Sequence, residues 1–96
     1  MIGSFRDSWL KAFFVEDAKS VRIPPDLQAR LFRKLQMLDD AVSEQDLRAP
    51  PSNHLEKLRG QLEGWHSIRV NQRWRLVFRW VDGEVTQLYL DDHSYR

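Results

Sequence analysis

The sequence predicts an α+β fold, in which two N-terminal helices pack on one face of a mainly antiparallel, twisted sheet. Apolar residues recur at helical spacing in the first half of the chain, whereas after about residue 54 short runs rich in aromatic and β-branched residues alternate with turns. Helices followed by consecutive strands are typical of the α+β class. The length of 96 residues fits a single domain spanning residues 1–96.

Two helices are predicted before the sheet. Asp7 suits the N-cap of a short helix over about residues 8–15. The segment Pro24-Pro25-Asp26 is typical of a helix start, because proline is tolerated in the first turn and an acid suits the positive end of the helix dipole. The apolar stripe that follows predicts a helix over about 25–42; it consists of Leu27, Leu31, Leu35, Leu38 and Val42.

The remainder is predicted to form an antiparallel meander. The expected strands cover residues 55–58, 65–70, 74–81 and about 85–92, and residues 2–5 are a further candidate edge strand. Asn71-Gln72 and Asp82-Gly83 supply tight turns between the three long strands. The loop over 48–53 contains two prolines and cannot continue a helix.

Strand alternation predicts one apolar and one polar face of this sheet. The face under the long helix is expected to hold Ile68, Val70, Trp74, Leu76, Phe78, Trp80, Thr86, Leu88 and Leu90. The outward face is expected to collect Arg69, Arg75, Arg79, Gln87, Tyr89, Asp91 and His93. Arginine suits phosphate and tyrosine can stack on an unpaired base, so this face is a candidate RNA surface. A solvated face with cross-strand ion pairs is the alternative.

Composition excludes several classes of protein. Hydrophobic residues make up 42% of the chain and charged residues 30%, which argues against disorder. With no cysteine, disulfides and thiolate metal sites are excluded, and the three histidines lack the paired spacing of a metal site, so neither metal nor cofactor is expected. No apolar run reaches the roughly 20 residues of a membrane helix and no signal peptide is evident, so we expect a cytoplasmic protein without membrane contact.

The net charge of +1 conceals a basic block. Residues 48–81 carry seven Lys or Arg against two acids, whereas residues 1–47 carry seven against eight. This asymmetry favours a polyanion-binding face on an otherwise balanced body, although a solvated charged surface would show the same count.

Three stretches resemble the HigB branch of the RelE toxin superfamily. They are Pro50-Pro51-Ser52-Asn53-His54-Leu55-Glu56-Lys57-Leu58, His66-Ser67-Ile68-Arg69-Val70-Asn71-Gln72-Arg73-Trp74-Arg75-Leu76-Val77-Phe78 and Leu90-Asp91-Asp92-His93. The resemblance covers nearly the whole chain. It implies a toxin that cuts messenger RNA in the ribosomal A site without a metal ion. It also implies a cognate helix-turn-helix antitoxin of the HigA kind, with operator DNA bound only through the complex.

The resemblance also implies site residues. The family's loop histidine falls on His54, and its terminal Asp-Tyr-His pattern falls on Asp91, Asp92 and His93, so Asp92 stands where the family usually has tyrosine. Metal-free cleavage needs a base for the 2′-hydroxyl and an acid for the departing 5′-oxygen, and histidine suits both tasks. Which of the two histidines is the base stays open at this point, and Asp91 could orient one of them.

The basic residues complete the predicted site. Arg73 is expected to stabilise charge at the scissile phosphate; the residues expected to bind RNA are Lys57, Arg69, Arg75 and Arg79. His66 falls on the inward face and is expected to pack or cap. Two alternatives remain: a ParE-like toxin that acts on DNA gyrase, for which the histidines would be incidental, and a plain binding module with neither activity.

Overall fold

The computed structural model describes residues 1–92 and confirms the α+β architecture. Helix α1 spans Ser8–Glu16, and helix α2 spans Gln28–Asp40 after a 3₁₀ turn at Pro25–Leu27. The strands are β1 (Glu56–Lys57), β2 (Trp65–Arg69), β3 (Arg75–Val81) and β4 (Glu84–Asp91). They form one antiparallel sheet in the order β1-β2-β3-β4. Within residues 1–92, no helix has the length and apolar content needed to cross a bilayer.

The apolar stripe of α2 packs on the inward face of the sheet, as predicted. Its leucines lie in one buried cluster with residues from β2, β3 and β4, which include Ile68, Leu76, Phe78 and Leu88. The helix ends at Asp40, and Ala41 is the last buried residue that continues its apolar stripe. Val42, which was expected in the stripe, is 76% exposed. Asp7 does precede α1, but its carboxylate accepts the Leu90 N–H rather than capping the helix.

The N-terminal segment forms the predicted edge pairing. Ile2 bridges Val85 and Phe5 bridges Leu88, both in the parallel sense, with Gly3 N–H donating to the Val85 carbonyl at 2.7 Å. The segment therefore covers the outer edge of β4, which would otherwise present a row of open backbone groups.

A β-bulge in β4 changes the predicted faces. The pairing shifts by one residue between Val77 opposite Tyr89 and Arg79 opposite Thr86, and Gln87 takes a left-handed backbone with φ of 53°. Because the extra residue reverses the alternation, Val85 is buried with Leu88. The expectation that Thr86 faces the core is therefore wrong, since it lies opposite exposed Arg79.

The outward face is not the open surface that alternation alone suggested. Arg75 is only 4% exposed, and Ser67 and Val77 beside it are fully buried. The chain segment after α2 covers this part of the face, since the 3₁₀ turn at Pro51–Asn53 contacts β2 and the following residues lead into β1.

Candidate active site

His54 is held in an unusual backbone conformation beside the sheet. It caps the Pro51–Asn53 turn with φ of 43° and ψ of 54°, and its N–H donates to the Pro51 carbonyl. A residue other than glycine rarely adopts this left-handed backbone conformation, so other contacts must hold His54 in it. The imidazole itself is exposed, and it is therefore accessible to a substrate.

Arg75 supplies one of those contacts. Its Nη2 donates to the His54 carbonyl at 2.6 Å, its Nε donates to the Ser67 hydroxyl at 2.9 Å, and its Nη1 lies 3.4 Å from the Glu56 carboxylate. All three guanidinium nitrogens are thus engaged inside the protein. The expectation that Arg75 offers its fork to RNA phosphate does not fit this burial; the residue positions the His54 backbone instead.

Arg69 contacts the imidazole directly. Its Nη1 lies 3.2 Å from His54 Nε2, while its Nε donates to the Asn71 carbonyl. A guanidinium has only donors, so Nε2 is the side of the ring that can accept in this contact. The contact directs Nε2 toward a cation that could instead bind a phosphate.

Strand register places a carboxylate in the same row. Arg69 lies opposite Arg75 on the neighbouring strand, and Arg75 lies opposite Asp91 on the next. The three predicted residues therefore lie in one row across the sheet, and two of them, Arg69 and Arg75, contact His54. Asp92 follows β4 and is exposed, whereas the predicted His93 lies outside the described residues.

The other predicted cations lie apart from this group. Arg73 is exposed in the β2–β3 turn, where the Asn71 carboxamide accepts its N–H and its guanidinium lies 5.9 Å from the Trp74 ring centre. Lys57 is exposed on the helix side of the sheet, 3.5 Å from Glu44. Arg79 is exposed at the opposite end of β3 from Arg75.

Arg79 belongs to a second group on the outward face. Trp65 and Tyr89 pack edge to face with ring centres 5.9 Å apart. The Arg6 guanidinium lies 4.2 Å from the Tyr89 ring centre, and Arg79 lies 5.9 Å from that of Trp65. Arg6 was absent from the predicted site, because the candidate edge strand over residues 2–5 does not indicate which edge of the sheet it joins or which face Arg6 reaches.

Two buried polar residues behind His54 also escaped prediction. Asn53 is fully buried; its carboxamide oxygen accepts from Lys34 Nζ at 2.5 Å, and its nitrogen donates to the Leu47 carbonyl at 3.1 Å. Lys34 on α2 is 9% exposed, and burial lowers the pKa of its ammonium, with Arg30 and Arg33 lowering that pKa further. A signal existed in the sequence, since Lys34 lies three residues after Leu31 within the apolar stripe.

His66 packs inward, as expected. Its ring stacks on Phe78 with centres 5.8 Å apart, and its Nε2 lies 3.9 Å from the Glu44 carboxylate, which Lys57 also approaches. Burial lowers the pKa of His66, the negative charge of Glu44 partly opposes this, and the positive charge of Lys57 adds to it. His66 therefore packs within the protein, on the opposite side of the sheet from Arg69 and Arg75.

The basic block of the sequence is thus divided between surfaces. Arg48 and Lys57 both approach Glu44, whereas Arg69 and Arg75 lie beside His54. Among residues 1–92, no three His, Asp or Glu side chains come together as a metal site would require.

Comparison with known proteins shows the family of the chain. Residues 3–93 match the family model described as HigB-like toxin, a RelE-like toxin of the type II toxin–antitoxin system HigB. The chain is 50% identical to "Toxin HigB-1" of Vibrio cholerae over 91 residues, which cover 95% of this chain and 96% of that protein. It is 31% identical to "Endoribonuclease HigB" of Proteus vulgaris over 93 residues, covering 97% and 99% respectively.

Proposed function

We propose that this chain, which belongs to the HigB-like family of RelE-like toxins of type II toxin–antitoxin systems, is an endoribonuclease that cleaves messenger RNA in the ribosomal A site and so inhibits translation and growth. The endoribonuclease relative from Proteus vulgaris supports the activity. The observation that carries the proposal is the exposed imidazole of His54, which Arg69 approaches, on a residue whose backbone carbonyl accepts from Arg75.

The setting of the toxin follows from the same family. A cognate HigA-like helix-turn-helix antitoxin neutralises it and takes the complex to operator DNA. The toxin acts in the cytoplasm, where messenger RNA and ribosomes are present.

The reaction uses the substrate's own 2′-hydroxyl as nucleophile. His54 Nε2 removes the hydroxyl proton, the 2′-oxygen attacks the adjacent phosphorus, and the bond to the 5′-oxygen breaks. The departing oxygen takes a proton from His93, which leaves a 2′,3′-cyclic phosphate and a 5′-hydroxyl. We assign the base role to His54 because its exposed ring lies 3.2 Å from Arg69, a donor-only group that can hold the phosphate next to the 2′-hydroxyl. Each well-placed proton transfer contributes roughly 10²–10⁴ in rate.

The cations divide into a binding set and a positioning residue. Arg69 turns from the imidazole to the phosphate when RNA enters, and Arg73 adds positive charge from the β2–β3 turn. Arg75 holds the His54 carbonyl and the Glu56 carboxylate, and Asp91 opposite it completes the row. Lys57 and Arg79, which lie farther from His54, bind the RNA backbone outside the reacting centre.

The base and acid assignments are tested with a modified substrate. In an RNA whose scissile 5′-oxygen is replaced by sulfur, the leaving group departs without protonation. His93→Ala should lose at least 100-fold activity on normal RNA and recover most of it on the sulfur substrate, whereas His54→Ala should be impaired on both. Recovery of His54→Ala instead would exchange the two roles.

The activity itself is tested with messenger RNA on purified ribosomes and with the same RNA free. Wild-type protein should produce internal cuts that depend on the ribosome, and His54→Ala should produce none. If His54→Ala and His93→Ala both remain as toxic as wild type without new RNA ends, the endoribonuclease proposal fails. Toxicity that acted through gyrase would then be the reading to test. A harmless, folded wild-type protein would favour a plain binding module.

A further inference from the structure

A basic groove lies where α2 meets the β2–β3 turn. It has a volume of about 590 Å³, and its lining includes Arg30, Arg33 and Lys34 from α2 together with Arg69 and Asn71 from the sheet end. Within the part of the chain that the structure describes, every charged residue of its lining is a cation. Of the residues that the sequence predicts to bind RNA, Arg69 is shared with this groove, whereas the cations of α2 were not among them.

The three cations of α2 share one helix face. Arg33 and Lys34 follow Arg30 by three and four residues, the spacing at which helix side chains are neighbours. Like charges at this spacing are destabilising on their own. The same repulsion is visible at Lys34, because Arg30 and Arg33 lower the pKa of its ammonium in addition to the effect of burial. An anion bound between these side chains would remove that repulsion.

Two contacts connect the groove to His54. Arg69 lines the groove, and its Nη1 reaches His54 Nε2 at 3.2 Å. Lys34 lines the groove from the helix, and its ammonium donates to Asn53, the residue immediately before His54. An RNA strand that extends from the imidazole into the groove therefore meets the cations that line it. The groove continues the proposed active site onto α2.

The charge and volume indicate the ligand. Four cations exceed the charge of one phosphodiester, and the volume exceeds that of one phosphate group, so the groove fits successive phosphates of a single strand. Arginine forks and a point ammonium are both suited to phosphate oxygens. Ribosomal RNA carries the same groups, and continuity with His54 favours the substrate strand.

We propose that the groove formed by Arg30, Arg33, Lys34 and Arg69 binds backbone phosphates of the RNA strand next to the scissile position. This inference rests on the proposed function, since it identifies the track of the same substrate. It makes α2 a binding element as well as part of the core. Contacts to phosphate give affinity and register without base specificity.

The test compares two double variants in a His54→Ala background, so that binding is measured without cleavage. Arg30→Ala/Arg33→Ala removes two exposed groove cations, and Lys19→Ala/Arg22→Ala removes two exposed cations from the α1–α2 loop. Binding is measured as a function of salt by fluorescence anisotropy with a short 2′-O-methyl RNA. It is also measured by co-sedimentation with purified ribosomes, with and without messenger RNA.

The groove variant should bind the RNA strand on the order of 10-fold more weakly than its parent. Its slope of log affinity against log salt should fall by about 1.4, the value for two lost single-strand phosphate contacts. The loop variant should stay within about 2-fold of the parent with the slope kept, because its cations lie outside the groove. On ribosomes, the loss should be seen only when messenger RNA is present.

Three outcomes would overturn the inference. The groove and loop variants could bind alike, the parent could show no salt-dependent binding in any arm, or the loss could occur equally on ribosomes without messenger RNA, which would assign the groove to ribosomal RNA. Failure of the proposed function looks different: His54→Ala would then cleave like wild type while the groove variant still lost binding.

Discussion

Replacing Asn53 should strongly destabilise the protein, because this one side chain joins α2 to the loop that carries His54. Asn53 is fully buried and accepts from Lys34 Nζ at 2.5 Å. Its nitrogen donates to the Leu47 carbonyl at 3.1 Å and to the Ala49 carbonyl at 3.3 Å. The same nitrogen also donates to Met37 Sδ at 3.0 Å, and a thioether is a weak acceptor. Asn53→Ala removes all four contacts, of which the three between nitrogen and oxygen set the magnitude.

The magnitude follows from the character of each bond. A hydrogen bond to a charged group contributes about 1.5–3 kcal/mol, and the lower end applies because the Lys34 ammonium borders an open groove. The Leu47 bond adds about 1 kcal/mol, and the longer Ala49 bond adds roughly half of that. Asn53→Ala should therefore lower the free energy of unfolding by about 3 kcal/mol, which is a large share of the 5–15 kcal/mol typical of a domain.

Urea unfolding followed by tryptophan fluorescence measures this loss. Ser52→Ala is the matched control, since Ser52 is the exposed neighbour and its replacement should change the unfolding free energy by no more than about 0.5 kcal/mol. A double-mutant cycle of Asn53→Ala with Lys34→Met should give a coupling of about 1.5 kcal/mol. A loss below 1 kcal/mol for Asn53→Ala, or no coupling, would refute the assignment of Asn53 as the tie between helix and loop.

Three further predictions follow from other contacts. His66→Phe should make stability less dependent on pH. Burial lowers the pKa of the folded imidazole below 6.5, so the wild-type protein loses stability as pH falls through that value, whereas the variant keeps the ring stack on Phe78 and has no group that titrates there. Thermal melts between pH 8 and pH 5 measure the difference. Gly83→Ala should cost about 1 kcal/mol or more because its φ is +79°, while Gly3→Ala should be nearly neutral by the same urea assay. Arg75→Lys should lower kcat with little change in RNA affinity, because an ammonium cannot hold Ser67, Glu56 and the His54 carbonyl together; a fall in affinity with kcat unchanged would contradict its positioning role.

The helices and hairpins could be predicted because periodicity reports burial directly. The leucines of α2 recur on one face of a 3.6-residue helix, and the buried residues of β3 on the helix side alternate as the pleat requires. Asp82-Gly83 marks a hairpin because both residues adopt positive φ, 51° and 79°, which this pair tolerates. Periodicity and turn residues involve only neighbours in the chain, so the sequence alone is enough to predict these elements.

The bulge at Gln87 could not be predicted in this way. Uninterrupted alternation along β4 predicts Thr86 in the core and Val85 on the outward face, whereas Val85 is the buried residue. One extra residue reverses every face before it, and a glutamine at φ of 53° gives no local indication, unlike glycine. The backbone N–H of Gln87 donates to the Ser4 hydroxyl at 2.9 Å, so the contact that accompanies the bulge comes from the far end of the chain.

The candidate site was predicted in its members more than in its arrangement. Strand parity placed Arg69, Arg75 and Asp91 on one face, and the register confirms that they lie in one row. Parity could not show that the loop before β1 covers Arg75, because that depends on where residues 50–55 return to the sheet. An arginine counted as an RNA ligand is thereby a buried residue that holds His54.

Charge shows the same difference between chain order and space. Along the chain, the charges of residues 1–47 are balanced, so charge counts do not indicate that α2 is a binding element. The fold places Arg48 and Lys57 near Glu44, and it sets Arg30 and Arg33 in one groove with Arg69. Lys34 belongs to both the core and the groove, since its aliphatic stem lies within the apolar stripe of α2 and its ammonium donates to Asn53 beside His54. Burying a cation there has a cost in stability, and an anionic strand in the groove would offset it.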